Sequence, residues 1–262
     1  MSTHSHRARK RFGQHFLHDA HVIAQIIDAI DPQPGQPLVE VGPGLGALTL
    51  PLLAQCRTLH VVELDRDVIP RLEASAAGHG ELTVHQGDAL AFDFSALAVT
   101  LGGPLRLIGN LPYNISTPLL FHFLEASEAV CDMHFMLQKE VVDRMAAQPG
   151  GKDYGRLTVM LATKVRVEKL FNVGPGSFRP PPQVDSAIVR LVPHAAPPFP
   201  LPDPARFAEL VVRCFSQRRK TLRNAVQGVV PPEAFTGTGI DPQRRPETLS
   251  PAEFGALAAW TP

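Results

Sequence analysis

The chain has 262 residues, of which 44% are hydrophobic and 19% are charged, and its formal net charge is zero. These values predict a globular protein with one large domain, or a large and a small one, and exclude an intrinsically disordered chain. No apolar run approaches the roughly 20 residues of a membrane-spanning helix, and the polar, basic residues 1–11 lack the apolar core of a secretory signal.

Strand and helix patterns alternate along the first half of the chain. Residues 19–30 carry apolar side chains at helical spacing, with Asp19 placed to cap the helix and Pro32 to end it. Predicted strands follow at residues 37–41, 59–64, 82–85, 105–108 and 133–137. Three predicted helices lie among them: one continues to residue 54, one spans residues 68–77 and one spans residues 116–124. The last of these helices has Ser116 as its expected cap and Pro118 in its first turn. This alternation predicts a parallel sheet with helices on both faces.

The second half of the chain alternates less. Apolar segments at residues 165–170 and 187–192 predict two late strands, which we expect to form an antiparallel pair at one edge of the sheet. The proline-rich residues 193–204 are typical of an extended linker. We therefore predict a large α/β domain at residues 1–197 and a small, all-helical domain at residues 198–262.

The three cysteines indicate a reducing environment. Cys56, Cys131 and Cys214 are far apart in the sequence, and each lies beside apolar residues. We expect buried free thiols rather than disulfides, which is typical of a cytoplasmic protein.

A glycine-rich loop follows the first predicted strand of the sheet. In this loop, Gly42, Gly44 and Ala47 match the looser G-x-G-x-x-G/A pattern of dinucleotide-binding loops, where glycine lets the backbone approach a ligand closely. Glu63, at the end of the next strand, has the spacing expected of a carboxylate that binds ribose hydroxyl groups. NAD and S-adenosylmethionine both contain that ribose, so these residues leave both cofactors open.

Three further features favour S-adenosylmethionine. Glu40 completes an E-x-G-x-G-x-G pattern that resembles the first motif of Rossmann-like methyltransferases, and a buried helix-capping or water-bound carboxylate is the alternative. Asp88 follows the third strand, where a carboxylate can accept the adenine amino group of the cofactor. The fourth strand ends in Asn110-Leu111-Pro112-Tyr113, which resembles the (N/D/S)-P-P-(Y/F) signature of amino-group methyltransferases, with Leu111 in place of the first proline.

The tetrapeptide suits methyl transfer to the exocyclic amine of a nucleobase. We expect the Oδ1 atom of Asn110 and the backbone carbonyl of Leu111 to accept the two amino hydrogens. This would aim the nitrogen lone pair at the methyl group and stabilise the charge that develops on nitrogen. Tyr113 offers a face on which the base stacks. Phe178 is the candidate for the opposite face, with a core aromatic as the alternative. The sulfonium is already an activated donor, so no metal is required.

Longer segments indicate a specific family. They are RFGQHFL at residues 11–17, VEVGPG at 39–44, VELD at 62–65, NLPYNIS at 110–116, MLQKE at 136–140, FRPPPQVDS at 178–186 and FSQRRKTLRN at 215–224. With them, the chain resembles the bacterial small-subunit ribosomal RNA adenine N6,N6-dimethyltransferases over nearly its whole length. The resemblance implies a Rossmann-like class I methyltransferase fold with a mostly parallel seven-stranded sheet, followed by a small all-α domain that contacts RNA.

The resemblance also implies a substrate and a set of site residues. The substrate is a pair of adjacent adenosines in the loop of the 3′-terminal helix of 16S rRNA, and each receives two methyl groups on N6 from S-adenosylmethionine. The implied cofactor-binding residues are His15, Leu17, Gly42, Gly44, Glu63, Asp88 and Asn110, and the implied catalytic residues are Asn110, Leu111, Tyr113 and Phe178. His15 stands where the family usually has asparagine, so a surface histidine without cofactor contact is the alternative.

Basic residues cluster near both ends of the chain, although the net charge is zero. The two clusters are Arg7, Arg9, Lys10 and Arg11, and Arg218, Arg219, Lys220 and Arg223. Because local patches set the field that a phosphate experiences, we expect both clusters to position RNA without reading its sequence. The second cluster lies within residues 205–226, whose periodicity predicts a single helix. A solvated tail and a solvated helix face are the alternatives.

Two other classes of function stay open at this point. An NAD-dependent dehydrogenase would use the same glycine-rich loop and Glu63, but it does not account for residues 110–113, and the sequence offers no obvious hydride-transfer dyad. A non-catalytic ribosome-assembly factor would keep the fold only for binding, whereas intact Glu63, Asn110 and Tyr113 favour an enzyme. We expect the protein to be a monomer.

Overall fold

The computed structural model describes residues 15–261, and it divides the chain into two compact units. Among the described residues, the first unit contains residues 15–142 and 168–193, and the second contains residues 143–167 and 194–261. The predicted domains therefore differ from this division in residues 143–167 and 194–197, which group with the C-terminal helices. The separate roles of the two predicted domains, catalysis for the first and RNA contact for the second, stay predictions. Among the described residues, no helix has both the length and the apolar character needed to cross a membrane.

The first unit contains a seven-stranded sheet and a separate two-stranded sheet. The strands are β1 (Phe16–Leu17), β2 (Leu38–Val41), β3 (Thr58–Glu63), β4 (Glu81–Gln86), β5 (Leu105–Asn110), β6 (Val130–Gln138), β7 (Val165–Val173), β8 (Phe178–Arg179) and β9 (Ser186–Pro193). The large sheet has the order β4-β3-β2-β5-β6-β9-β7, and β1 pairs with β8. The pairs among β2 to β6 are parallel, whereas β9 runs antiparallel to β6. The predicted Rossmann-like class is confirmed.

Helices alternate with the strands in the first unit and predominate in the second. They are α1 (Ala20–Ile30), α2 (Thr49–Cys56), α3 (Ile69–Ala76), α4 (Phe94–Leu101), α5 (Ser116–Glu125), α6 (Lys139–Met145), α7 (Arg156–Leu161), α8 (Pro204–Ser216), α9 (Leu222–Ala225), α10 (Pro232–Thr238) and α11 (Pro251–Ala259). The chain runs outward from β2 through β3 to β4 and then returns to place β5 on the other side of β2. In open α/β sheets, ligands bind at such a switch point, outside the carboxyl ends of the strands.

Burial explains why the central strands are almost continuously apolar. In β2, Leu38, Val39 and Val41 are at most 2% exposed, because the parallel strands of this sheet are covered on both faces. Asp19 caps α1 as predicted, since its carboxylate accepts hydrogen bonds from the backbone N–H groups of residues 21 and 22.

The structure corrects three expectations. Ser116 is not the cap of α5 but its first residue, and its hydroxyl donates to the carbonyl of Tyr113 at 3.2 Å. Cys131 is exposed, whereas Cys56 and Cys214 are buried free thiols. Residues 205–226 do not form one helix, because α8 ends at Ser216 and α9 begins only at Leu222.

The second unit has its own hydrophobic core. Its largest buried side chains include Tyr154, Phe207 and Phe254, and the Tyr154 hydroxyl donates to the Leu249 carbonyl at 2.7 Å. The proline-rich segment before α8 is irregular as predicted, but Phe199 packs against this core. The segment therefore contributes to the folded second unit and is more than a tether.

Candidate active site

A cavity of about 320 Å³ lies at the carboxyl ends of β2, β3, β4 and β5. The sequence-predicted residues that line it are His15, Leu17, Gly42, Gly44, Glu63, Asp88, Asn110, Leu111 and Tyr113. They come from β1 and the residue before it, from the ends of β3 and β5, and from the loops after β2, β4 and β5, so the fold brings together residues that are far apart in the sequence. Phe178 is not among the lining residues.

The glycine-rich loop forms one wall of the cavity. Gly42 and Gly44 have φ angles of 68° and 56°, in the left-handed region that favours glycine. A Cβ atom on Gly44 would lie 3.4 Å from the ring of Phe16. The backbone N–H of Gly44 donates to Oε2 of Glu63 at 3.2 Å, which joins the loop to the end of β3.

Glu63 presents a nearly buried carboxylate to the cavity. Its side chain accepts hydrogen bonds from the N–H groups of Gly44 and Asp65, and burial raises its pKa. A carboxylate has about four acceptor sites, so two backbone donors leave it able to accept further hydroxyl groups. Asp88 is exposed at the cavity, and its Oδ1 atom accepts from the N–H of Leu90 at 2.9 Å.

Leu64 is a lining residue that sequence reasoning missed. It is 51% exposed although it is a large apolar side chain, and it directly follows Glu63. An exposed leucine at a cavity gives a planar ring an apolar surface to lie against. The only sequence signal for it was its place immediately after an acidic strand end.

Glu40 connects β2 to the start of α2. It is 2% exposed, and its Oε2 atom accepts a hydrogen bond of 2.6 Å from the hydroxyl of Thr49. Burial is the main cause that raises the pKa of Glu40 from 4.5 to about 7, and the nearby Glu63 carboxylate raises it further. The expected alternative for Glu40 was a buried helix-capping or water-bound carboxylate. The carboxylate is buried, but it bonds to the Thr49 hydroxyl, and no side chain among the described residues caps the start of α2.

The raised pKa of Glu40 predicts a pH-dependent cost to the folded protein. Between pH 4.5 and about 7, the folded state keeps a proton that the unfolded chain has lost, so stability falls as pH rises through this range. Glu40→Gln removes the charge, so we expect it to exceed the wild type in stability at pH 8, by an amount of order 3 kcal/mol, and to match it near pH 5. Urea unfolding at both pH values measures this, with the exposed Glu73→Gln as the control. A gain equal at both pH values would contradict the assignment.

Asn110 ends β5 with a fixed amide orientation. Its Nδ2 atom donates to the backbone carbonyl of His15 at 3.2 Å. A carbonyl oxygen only accepts hydrogen bonds, so the amide nitrogen faces His15 and the acceptor Oδ1 faces away from it. Leu111 is 1% exposed, and its N–H donates to the carbonyl of Met136 at 3.2 Å, which anchors the start of the tetrapeptide to β6.

Gly109 is a second residue that sequence reasoning missed. A Cβ atom at this position would lie 2.6 Å from the backbone oxygen of Val41 on the neighbouring strand β2. The glycine therefore allows β5 to approach β2 closely just before Asn110. In the sequence, it was only a glycine at the end of an apolar run.

Tyr113 is held by contacts at both its ring and its hydroxyl. The ring stacks with that of His15, with centroids 5.8 Å apart and planes inclined by 25°. The hydroxyl forms a 2.5 Å hydrogen bond with Oγ of Ser186 in β9. Burial raises the pKa of Tyr113. His15 is fixed in turn, because its Nδ1 atom lies 2.8 Å from the carbonyl of Pro180, which only accepts, so this nitrogen carries the proton.

Phe178 lies in the core of the first unit. It is 2% exposed, belongs to the main hydrophobic cluster and pairs with Leu17 across the β1–β8 sheet. This position agrees with the core-aromatic alternative. Stacking of Phe178 on a target base stays a prediction.

Comparison with known proteins shows the family. The sequence model of the ribosomal RNA adenine dimethylases matches residues 5–261. The chain belongs to this family. The ribosomal RNA small subunit methyltransferase A of Laribacter hongkongensis is 58% identical over 253 residues, which cover 97% of this chain and 95% of that protein.

Solved structures agree with the family assignment. A dimethyladenosine transferase from Plasmodium falciparum matches with a TM-score of 0.79 and 26% identity, covering 93% of this chain and 96% of that one. The 23S rRNA methyltransferase ErmE matches with a TM-score of 0.75 and 26% identity, covering 93% and 98%. The chain is thus an rRNA adenine dimethylase by family, and the dehydrogenase alternative is not supported.

The basic clusters differ in what the structure describes. Arg7, Arg9, Lys10 and Arg11 lie outside the described residues. In the second unit of this rRNA dimethylase, Arg219, Lys220 and Arg223 are exposed. Arg218 instead donates to the carbonyls of Gly151 and Lys152 at 3.3 and 3.0 Å. The Arg218 side chain therefore has hydrogen-bond partners, whereas no side-chain partner is found for Arg219, Lys220 or Arg223 among the described residues.

Proposed function

We propose that the protein transfers methyl groups from S-adenosylmethionine to N6 of two adjacent adenosines in the loop of the 3′-terminal helix of 16S rRNA, giving N6,N6-dimethyladenosine at both. The observation that carries the proposal is the placement of Asn110 in the same cavity as Glu63 and Asp88. The small-subunit substrate is favoured over a large-subunit one, because the small-subunit relative is 58% identical and ErmE only 26%.

The cavity residues fit the parts of S-adenosylmethionine. Glu63 has acceptor capacity for the two ribose hydroxyls, and Asp88 offers a carboxylate to the adenine amino group. Leu64 supplies an apolar surface for the adenine ring, and the glycine-rich loop lets the backbone come close to the ligand. The bound cofactor would supply an electrophilic methyl group on a sulfonium.

Asn110 would act on the nucleophile. Its Oδ1, which faces away from the His15 carbonyl, would accept one N6–H, and the carbonyl of Leu111 would accept the other, so that the nitrogen lone pair points at the methyl donor. Both acceptors stabilise the positive charge that develops on N6 during transfer. The product cation loses its proton after the bond has formed. Tyr113 would provide the surface on which the unstacked base lies, and such stacking contributes roughly 1–3 kcal/mol per base.

A methylation assay tests the proposed function. The protein is incubated with labelled S-adenosylmethionine and small subunits whose rRNA lacks the modification, and the product is mapped by mass spectrometry. We expect two methyl groups on each of two adjacent adenosines near the 3′ end. Large-subunit RNA serves as the control substrate, and methylation of that RNA alone would contradict the proposal.

Binding experiments separate the other classes of function. Calorimetry should detect binding of S-adenosylmethionine but not of NADH. Tight binding to small subunits without methyl transfer would favour the non-catalytic assembly factor. Because the proposed substrate is rRNA within a ribosomal subunit, we also propose that the enzyme works in the cytoplasm and binds its substrate as a monomer.

A further inference from the structure

The hydroxyl group of Tyr113 forms a contact that base stacking does not require. A phenyl ring alone would give a base a surface, and the signature that residues 110–113 resemble accepts either tyrosine or phenylalanine at this position. In this protein, the hydroxyl lies 2.5 Å from Oγ of Ser186, which is fully buried. The two residues are 73 positions apart in the chain.

The sheet fixes Ser186 in relation to Asn110. Asn110 in β5 pairs with Met136 in β6, and Ser186 in β9 pairs with Gln138, two residues further along β6. Both residues are therefore set by backbone hydrogen bonds to the same central strand. Tyr113 lies in the loop that follows β5. Its hydroxyl bonds to Ser186 in β9, which lies on the other side of β6 from β5.

A side chain held in this way has little freedom. A tyrosine whose backbone alone is fixed can change its χ1 rotamer, whereas one that is also bonded through its hydroxyl cannot do so without breaking that bond. His15 lies against the ring as well, and the Pro180 carbonyl holds His15. Because His15 stacks on one face of the Tyr113 ring, a target base would stack on the other face.

We propose that Ser186 is a positioning residue for methyl transfer, because its buried hydroxyl fixes the ring of Tyr113 where the target base stacks. This inference rests on the proposed function. Ser186 touches neither base nor cofactor in this scheme; it acts only through Tyr113. The orientation of the base decides whether N6 faces the methyl group, and small misplacements of reacting groups are costly in rate.

Single-turnover methyl transfer on small subunits, with saturating cofactor, tests the proposal. Tyr113→Phe keeps the ring and removes the hydroxyl, whereas Ser186→Ala removes its partner. We expect each variant to lower the rate of methyl transfer roughly tenfold. Misplacing a reacting group by about an ångström can cost a hundredfold in rate, and a ring that only loses its hydroxyl contact should shift less than that. The double variant should lose no more than either single one, because all three lack the same hydrogen bond. Cofactor affinity should not change.

Control variants separate positioning from a loss of structure. Ser186→Thr keeps a hydroxyl and should restore most of the rate. Ser177→Ala removes a different, similarly buried serine hydroxyl, which bonds to Asp19, and should leave the rate unchanged. If Ser186→Ala lowers the melting temperature, Tyr113→Phe alone still tests the contact.

The outcomes distinguish the inference from the function on which it rests. If the wild type methylates small subunits and the losses of the two single variants multiply in the double variant, the two hydroxyls act independently and the inference is wrong. It is also wrong if Tyr113→Phe keeps the full rate. If the wild type itself transfers no methyl group, the proposed function fails instead.

Discussion

Asn110→Ala is expected to lower the rate of methyl transfer by roughly a hundredfold to a thousandfold, by analogy with the loss of a single oxyanion-hole donor, which also stabilises charge in a transition state. The substitution removes the Oδ1 atom that would accept an N6–H, and it also removes the amide that bonds to the His15 carbonyl. RNA affinity should change little, because phosphate contacts elsewhere supply most of it.

Two variants make this expectation specific. Asn110→Asp keeps an acceptor oxygen but loses the N–H that donates to His15, so we expect a rate between those of the wild type and the alanine variant. Asn172→Ala removes an exposed asparagine of β7 in the same unit and should not change the rate. The rates come from single-turnover assays, and RNA affinity comes from filter binding. Equal losses of rate and RNA affinity in Asn110→Ala would mean that Asn110 mainly holds structure.

Sequence reasoning located the cavity because the carboxyl ends of parallel strands meet at one edge of the sheet. Glu63 lies at the end of a predicted strand, Asp88 and Asn110 each follow one, and the structure places all three around one cavity. Their roles stay predictions, but their placement at one edge followed from the predicted parallel sheet.

Contacts between segments that are far apart in the chain could not be predicted from the sequence. The bond between Tyr113 and Ser186 and the pairing of Leu17 with Phe178 each depend on how far-separated strands align. Nothing local in either segment indicates its partner, since cross-strand register is set by the whole sheet. Gly109 is a similar case, because its close approach to Val41 exists only in the folded sheet.

Two errors in the helices predicted from the sequence had local causes. The helix α4 was missed because its sequence FSALAVTL has no polar face, so helical periodicity is weak, although Asp93 and Gly102 cap it at its two ends. The predicted helix over residues 205–226 was wrong for the opposite reason. Leu222 resumes the apolar spacing seven residues after Phe215, as a continued helix would. The N–H groups of Leu222 and Arg223 instead donate to carbonyls of Arg244 and Pro242, so the chain turns before α9.

The break after α8 sharpens the prediction for the basic cluster. Arg219 and Lys220 lie in the turn between α8 and α9 and are exposed, whereas Arg218 is bonded to two backbone carbonyls and lies 4.0 Å from a carboxylate oxygen of Glu247. Arg218→Ala should therefore lower stability as well as RNA affinity. Removing its two neighbours should affect RNA binding alone.

The double variant Arg219→Ala/Lys220→Ala is expected to weaken binding to small subunits roughly ten- to hundredfold at low salt, and to reduce the slope of log affinity against log salt by about 1.4–1.8. The slope falls because the variant makes fewer phosphate contacts, so that fewer counterions are released when it binds. Affinity is measured from low to physiological salt. Arg66→Ala/Arg71→Ala removes two exposed cations of the first unit and is the matched control. Equal changes of slope in both double variants would assign residues 219 and 220 to an ordinary solvated surface.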